Sequence, residues 1–278
     1  MAVRETADRN AAQPPFRSGR NPATVLAATL GPSLRSVRAV VFDTDGVITD
    51  SARVHAAAWR AAFDACLRAA GHDRPFDPGE DYRRFVDGRN RLDGAAAFLA
   101  SRDLRLPAGD PDDPPGTGTV QAVAARKEEL FTRQLRAGGI AAWPGTVRVL
   151  HALRAAGVPC AAVSASRHAP ELLEGAGVKD LFRTVVDGKE AARLNLAGKP
   201  DPALFLEAAR RLGVPAPEAA VIEDALAGVE AGRRGGFGLV VGVDRTAGPT
   251  SADDLREHGA SIVVRDLAEL LTGRANRR

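Results

Sequence analysis

Cysteine occurs only twice, at Cys66 and Cys160, far apart and without the spacing of a metal or redox site. That excludes a disulfide scaffold and leaves two ordinary buried thiols in a reducing compartment, so a cytoplasmic protein is expected. No run approaches the ~20 apolar residues of a membrane span, and no membrane partner is expected. No internal repeat is visible. Lysine is scarce too: of 38 basic side chains only Lys127, Lys179, Lys189 and Lys199 are lysines. An ammonium is a compact point charge that a guanidinium does not reproduce, so the few lysines of so arginine-biased a chain single out their positions.

With 278 residues, 45% of them hydrophobic, the chain can build one substantial core and a smaller satellite domain. A net charge of +3 and a pI near 9.2 raise the question of nucleic acid. The arginines, however, alternate with acids along helix-like stretches such as 204–211 and 253–258, the pattern of solvated faces, and no nucleic-acid partner is expected. Residues 1–35, with Pro14-Pro15 and scattered arginines, lack periodicity and read as a flexible arm. Glu5, Asp8 and the missing apolar segment argue against a targeting peptide there.

The most informative stretch is Val40-Val41-Phe42-Asp43-Thr44-Asp45-Gly46. Its apolar part, 37–42, reads as a strand buried on both faces of a parallel sheet, with Asp43 and Asp45 just beyond its carboxyl end. In an open α/β sheet that edge binds ligands. Two carboxylates so close repel each other unless a cation or a proton intervenes. Both remedies suit phosphoryl transfer, with Asp43 as nucleophile and metal ligand and Asp45 as the acid for the leaving oxygen. A strand followed by a plain Asp-Gly turn is the alternative for this string taken alone.

Three further polar points follow apolar runs or open helices. They are Ser164-Ala165-Ser166-Arg167 after 158–163, Gly198-Lys199-Pro200-Asp201-Pro202 before a helical segment, and Glu223-Asp224 after 219–222. In a parallel sheet Asp43, Ser164, Lys199 and Asp224 converge on one edge. A carboxylate attacking a phosphate dianion needs charge neutralisation and in-line positioning, which a divalent cation and Lys199 would supply.

The order and spacing of these strings over about 37–271 resemble the four motifs of the haloacid dehalogenase superfamily of phosphotransferases. The resemblance implies a Rossmann-like doubly wound α/β core with an inserted helical cap, Mg²⁺, an aspartyl-phosphate on Asp43, and acid/base work by Asp45. The dehalogenases themselves lack the second aspartate. Val54-His55-Ala56-Ala57-Ala58-Trp59, Asp87-Gly88-Arg89-Asn90-Arg91 and Ala125-Arg126-Lys127 resemble the cap strings of the β-phosphoglucomutase-like subfamily. His55 would then gate the acid/base aspartate, and Arg91 would grip the non-transferring phosphate through its planar fork. The implied set is Asp43 and Asp45 for catalysis; Asp43, Asp45, Glu223 and Asp224 for the metal; and Ser51, His55, Trp59, Gly88, Arg91, Lys127, Ser164, Ala165, Ser166 and Lys199 for the substrate. The chain departs from the family where Thr44 replaces a leucine and Ser51 a threonine. His168 stands where the mutases often carry asparagine, with Arg167 for a lysine beside it.

The expected activity is a Mg²⁺-dependent mutase acting on a small-molecule sugar phosphate, in a monomer. A phosphatase uses the same aspartyl-phosphate and lets water take the phosphoryl group. A binding module that had lost its chemistry would lack one of Asp43, Asp45, Lys199 or Asp224, and all four are present. The expected domains are a core of 36–52 and 142–272, a cap of 53–141 with hinges near Ser51 and 138–145, and a tail of 273–278. Helices are expected over 146–156 and 202–212, strands over 239–243 and 262–264, a surface loop over 103–119, and a turn at Asp187-Gly188.

Overall fold

The structure, a computed structural model, describes residues 29–137, 140–245 and 251–272. Most of the expected arm, the tail after 272 and two residues of the second expected hinge lie outside the described residues. The elements begin with β1 (Thr29–Leu30), α1 (Pro32–Arg35), β2 (Ala39–Asp43), α2 (Ala52–Ala69), α3 (Arg91–Ser101) and α4 (Val120–Ala137). They continue with α5 (Pro144–Ala155), β3 (Cys160–Val163), α6 (Ala169–Gly175), β4 (Thr184–Val186), α7 (Gly188–Leu194) and α8 (Ala203–Leu212). The chain ends with β5 (Ala219–Glu223), α9 (Leu226–Arg234), β6 (Leu239–Val243), α10 (Ser251–His258), β7 (Ile262–Val264) and β8 (Leu271–Thr272).

Six strands form one parallel sheet in the order β4-β3-β2-β5-β6-β7. The chain winds from β2 outward to β4, then crosses back to β5 and winds the other way. β2 and β5 therefore flank the switch point, where a crevice opens at the strands' carboxyl ends. This is the Rossmann-like doubly wound core expected from the sequence.

Alternation along the strands divides the core between the sheet's two faces. Val40, Phe42, Ala162, Ile222 and Val241 pack with Val149, Leu150 and Leu153 of α5. Ala39, Val41, Val163 and Val221 pack with Leu204, Phe205 and Ala208 of α8 and Val229 of α9. Each inner strand is buried along its whole length, which is why it reads as a continuous apolar run. The helices between β2 and α5 have a core of their own. Trp59, Phe63, Phe76, Phe98, Leu99 and Val123 pack together, with Phe63 stacked 4.7 Å from Trp59 and tilted against Phe98 at 4.2 Å.

Several expectations change. The arm does not reach residue 35: Thr29 and Leu30 pair antiparallel with Thr272 and Leu271, and Leu30 and Leu34 join the sheet core. Asp43 is the last residue of β2 rather than the first beyond it. Asp187-Gly188 opens a helix instead of forming a simple turn, because the Asp187 carboxylate accepts hydrogen bonds from the backbone N–H groups of Lys189 and Glu190 and caps α7. Thr44, which stands where the family carries a leucine, donates its hydroxyl to Val163 O at 2.9 Å and ties β2 to β3. Both cysteines are free and buried, and burial raises their thiols to about 11 (Cys66) and about 12 (Cys160). No helix among the described residues is long and apolar enough to cross a membrane.

Candidate active site

The ends of β2, β3 and β5 bring the motif residues together. Lys199 is fully buried and donates to Asp43 Oδ1 and, at 2.5 Å, to Glu223 Oε1. Burial alone would pull this ammonium's pKa down, but the Asp43 and Glu223 carboxylates outweigh it and hold the lysine charged. Glu223 Oε2 accepts from Ala225 N at 2.7 Å, which fixes the loop entering α9. Asp43, Glu223 and Asp224 each offer an oxygen within 4.8 Å of the others. Burial raises the Asp43 carboxyl, with the Glu223 and Asp45 charges adding to the shift against the opposing pull of Lys199. Burial also raises Asp224, aided by Asp87, Glu223 and Asp43. Oδ1 of Asp224 is buried without a hydrogen-bond partner. Three crowded carboxylates, one with an orphaned oxygen, fit a hard divalent cation such as Mg²⁺. The fourth expected ligand, the Asp45 carboxylate, lies outside this group.

Asp45 is held from three sides. Oδ1 accepts from Ser51 Oγ at 2.5 Å, Oδ2 accepts from Ser164 Oγ at 3.0 Å, and His55 Nε2 lies 3.2 Å from Oδ1, not aligned for a hydrogen bond. Burial would raise this carboxyl, but His55 and the two hydroxyls keep it well below the usual carboxylate range. Burial lowers the His55 imidazole, and the nearby Lys127 ammonium lowers it further. Ser51 and Ser164 are fully buried with their hydroxyls committed to Asp45, so they orient the carboxylate rather than face a phosphate.

Above the sheet edge a narrow chamber of about 60 Å³ separates the core from the helices. By volume it holds a few waters rather than a sugar phosphate, so a ligand of that size needs the helices to move. Asp43, Asp45, His55, Trp59, Gly88, Arg91, Lys127, Ala165, Ser166 and Asp224 line it. Ser51, Ser164, Lys199 and Glu223 lie behind its wall. Gly88, at φ +69°, comes so close to the core that a Cβ there would sit 2.9 Å from the Ala225 Cβ. Asn90 caps α3 by accepting from Leu92 N and Asp93 N, which sets Arg91 as the first helical residue. Lys127 is buried, 5.6 Å over the Trp59 ring and 4.6 Å over the Phe131 ring, and burial lowers its pKa. Burial also lowers the Arg91 guanidinium, with the charge of Arg167 adding to the shift.

Tyr82, Asp87, Glu128 and Arg167 also line the chamber, although sequence reasoning did not place them in the site. Asp87 and Glu128 each adjoin a residue that it did place, Gly88 and Lys127. Burial and the Glu223 charge raise the Asp87 carboxyl to about 7.

Residues 37–236 match the family model of haloacid dehalogenase-like hydrolases. The chain belongs to this family. Within it the chain is 46% identical over 240 residues to a β-phosphoglucomutase of Mycobacterium bovis, covering 84% of this chain and 92% of that protein. It is 31% identical to a β-phosphoglucomutase of Bacillus subtilis, again covering 84% and 92%. The fold matches the crystal structure of a β-phosphoglucomutase from Clostridium difficile at a TM-score of 0.67 and 24% identity, over 84% of this chain and 93% of that one. These likenesses put the chain in the β-phosphoglucomutase-like branch of the haloacid dehalogenase-like enzymes.

Proposed function

We propose that the protein is a Mg²⁺-dependent sugar-phosphate mutase that interconverts β-glucose 1-phosphate and glucose 6-phosphate. The observation that carries this reading is the pair Arg91 and Arg167. Both residues line the chamber, neither has an ion-pair partner among the described residues, and the Arg167 charge adds to burial in lowering the Arg91 guanidinium. Two like charges gathered in one chamber suit an anion. A mutase must hold a second phosphate in this way, and a phosphatase of small substrates need not.

The cycle starts from enzyme phosphorylated on Asp43. The Asp45 carboxylate takes the proton from the sugar 6-hydroxyl as that oxygen attacks phosphorus and the Asp43–phosphorus bond breaks, giving the 1,6-bisphosphate and free Asp43. The bisphosphate turns end for end. Asp43 then attacks the phosphorus on O1, Asp45 returns its proton to O1 as that bond breaks, and glucose 6-phosphate leaves the rephosphorylated enzyme. Arg91 and Arg167 hold whichever phosphate is not transferring. Lys199 aims the Asp43 carboxylate and opposes the upward pull of burial on its pKa, and Ser51 and Ser164 fix the rotamer of Asp45. Asp43, Glu223 and Asp224 would hold Mg²⁺, which when bound offsets the repulsion between carboxylate and phosphate dianion.

We further assign 53–141 as a cap that moves on a core of 36–52 and 142–272, in a monomeric, cytoplasmic enzyme. The test is incubation with Mg²⁺, β-glucose 1-phosphate and a trace of glucose 1,6-bisphosphate while following glucose 6-phosphate and free phosphate. Accumulation of glucose 6-phosphate is expected. Stoichiometric free phosphate without isomer would make the protein a phosphatase, a reaction within the hydrolase class named in the matched family description.

A further inference from the structure

One ion pair joins the two bodies beside the chamber and belongs to none of the roles above. Glu128 lies on α4, among the helices, and His168 immediately precedes α6 in the core, with 2.5 Å between Glu128 Oε1 and His168 Nε2. A carboxylate only accepts, so the imidazole donates. Phe131 holds the pair from one side, its ring 5.5 Å from His168 and stacked 4.0 Å from His55. His168 N donates to Ser166 Oγ at 3.2 Å and links the imidazole to a loop that lines the chamber.

Glu128 itself lines the chamber, 3.7 Å from the Lys127 ammonium and close enough to Arg91 for their charges to interact. A free carboxylate there would do harm twice. It would repel an incoming phosphate and form ion pairs with the cations meant to receive it. Resting on the function proposed above, we infer that His168 is a positioning residue. Its ring N–H draws the Glu128 carboxylate toward the core and leaves Arg91 without an ion-pair partner among the described residues, open to the second phosphate.

Charge control and a mere tie between the two bodies predict different results. His168→Asn releases Glu128 and should weaken binding of inorganic phosphate roughly tenfold, the scale of one partly desolvated charge contact. Glu128→Gln removes the offending charge and should bind phosphate as well as the wild type or better. The double variant Glu128→Gln/His168→Asn should recover wild-type affinity. The measurement is calorimetric titration of each folded protein with phosphate in Mg²⁺, with thermal melts run in parallel. In turnover, His168→Asn should raise KM more than it lowers kcat.

A structural tie predicts something else: Glu128→Gln would lose affinity as His168→Asn does, and the double variant would not recover. Either result overturns the inference. Because phosphate binding requires no sugar, wild type that shows the expected pattern but isomerises no glucose phosphate would refute the mutase reading alone.

Discussion

His55 Nε2 lies 3.2 Å from Asp45 Oδ1, the oxygen that also accepts from Ser51 Oγ, while Ser164 Oγ donates to Oδ2. Three neighbours thus fix one carboxylate in a single orientation in the wall of the chamber. Asp45→Asn should lower turnover by about 10²–10⁴-fold with little change in substrate affinity, the usual range for a positioned proton-transfer group. Ser164→Ala should give a smaller loss, also in kcat. If steady-state kinetics place the loss in KM for both variants, Asp45 binds the substrate rather than moving a proton.

Removing one of the crowded carboxylates should have opposite effects with and without cation. Asp224→Asn relieves the burial and like-charge cost at Asp224, so in EDTA the variant should melt no lower than wild type. Wild type should then gain stability on Mg²⁺ addition, by about 2.7 kcal/mol at a hundredfold excess over Kd, and the variant should gain little. Equal gains in a calorimetric melt would move the cation site elsewhere.

Gly88 meets two constraints at once, a left-handed backbone and contact with Ala225. Gly88→Ala should keep the loop from seating on the core and cost on the order of 10²-fold in kcat/KM, because small misplacements carry that scale of penalty. The melting temperature should fall by only a few degrees, matching about 1 kcal/mol for the unfavourable φ. A normal kcat/KM would show that the approach of this loop to the core does not control catalysis.

Burial would raise the Glu128 carboxyl, but His168 and Lys127 hold it at about 2 against the ordinary 4.5. Its folded-state pKa is depressed, so the folded chain keeps an anion where the unfolded chain takes up a proton. The stabilisation is complete above pH 4.5 and is lost as the pH falls toward 2. Urea unfolding of wild type and Glu128→Gln should differ more at pH 6 than at pH 3. A difference independent of pH would mean that Glu128 contributes packing and no charge.

The sheet was legible because strands buried on both faces must be apolar throughout, and the polar residue that ends each run then marks the ligand edge. That logic found β2, β3, β5, β6 and β7, and with them Asp43, Ser164 and Glu223. It missed β4, since Thr184–Val186 is too short to show a pattern, and β1, whose two residues are explained only by their partner at Leu271–Thr272. Asp87, Tyr82 and Glu128 escaped for another reason. Their place in the chamber depends on how the helices rest against the core, a packing between bodies that leaves no period in the sequence. Motif position also gave Ser51 and Ser164 to the phosphate, whereas the hydrogen bonds direct both hydroxyls to Asp45.

The ribbon of β1 and β8 has a bearing on how the protein is made. Thr29 pairs with Thr272, and the strand beside it in sequence, β2, needs β5 as a neighbour before its second edge is covered. A chain leaving the ribosome therefore exposes the apolar edge of β2 until Ala219–Glu223 has been translated, and β1 waits for Leu271–Thr272. Meanwhile the helices from α2 to α4, with their own aromatic centre, are complete. Nascent-chain truncations should show those helices acquiring protease resistance well before the sheet does.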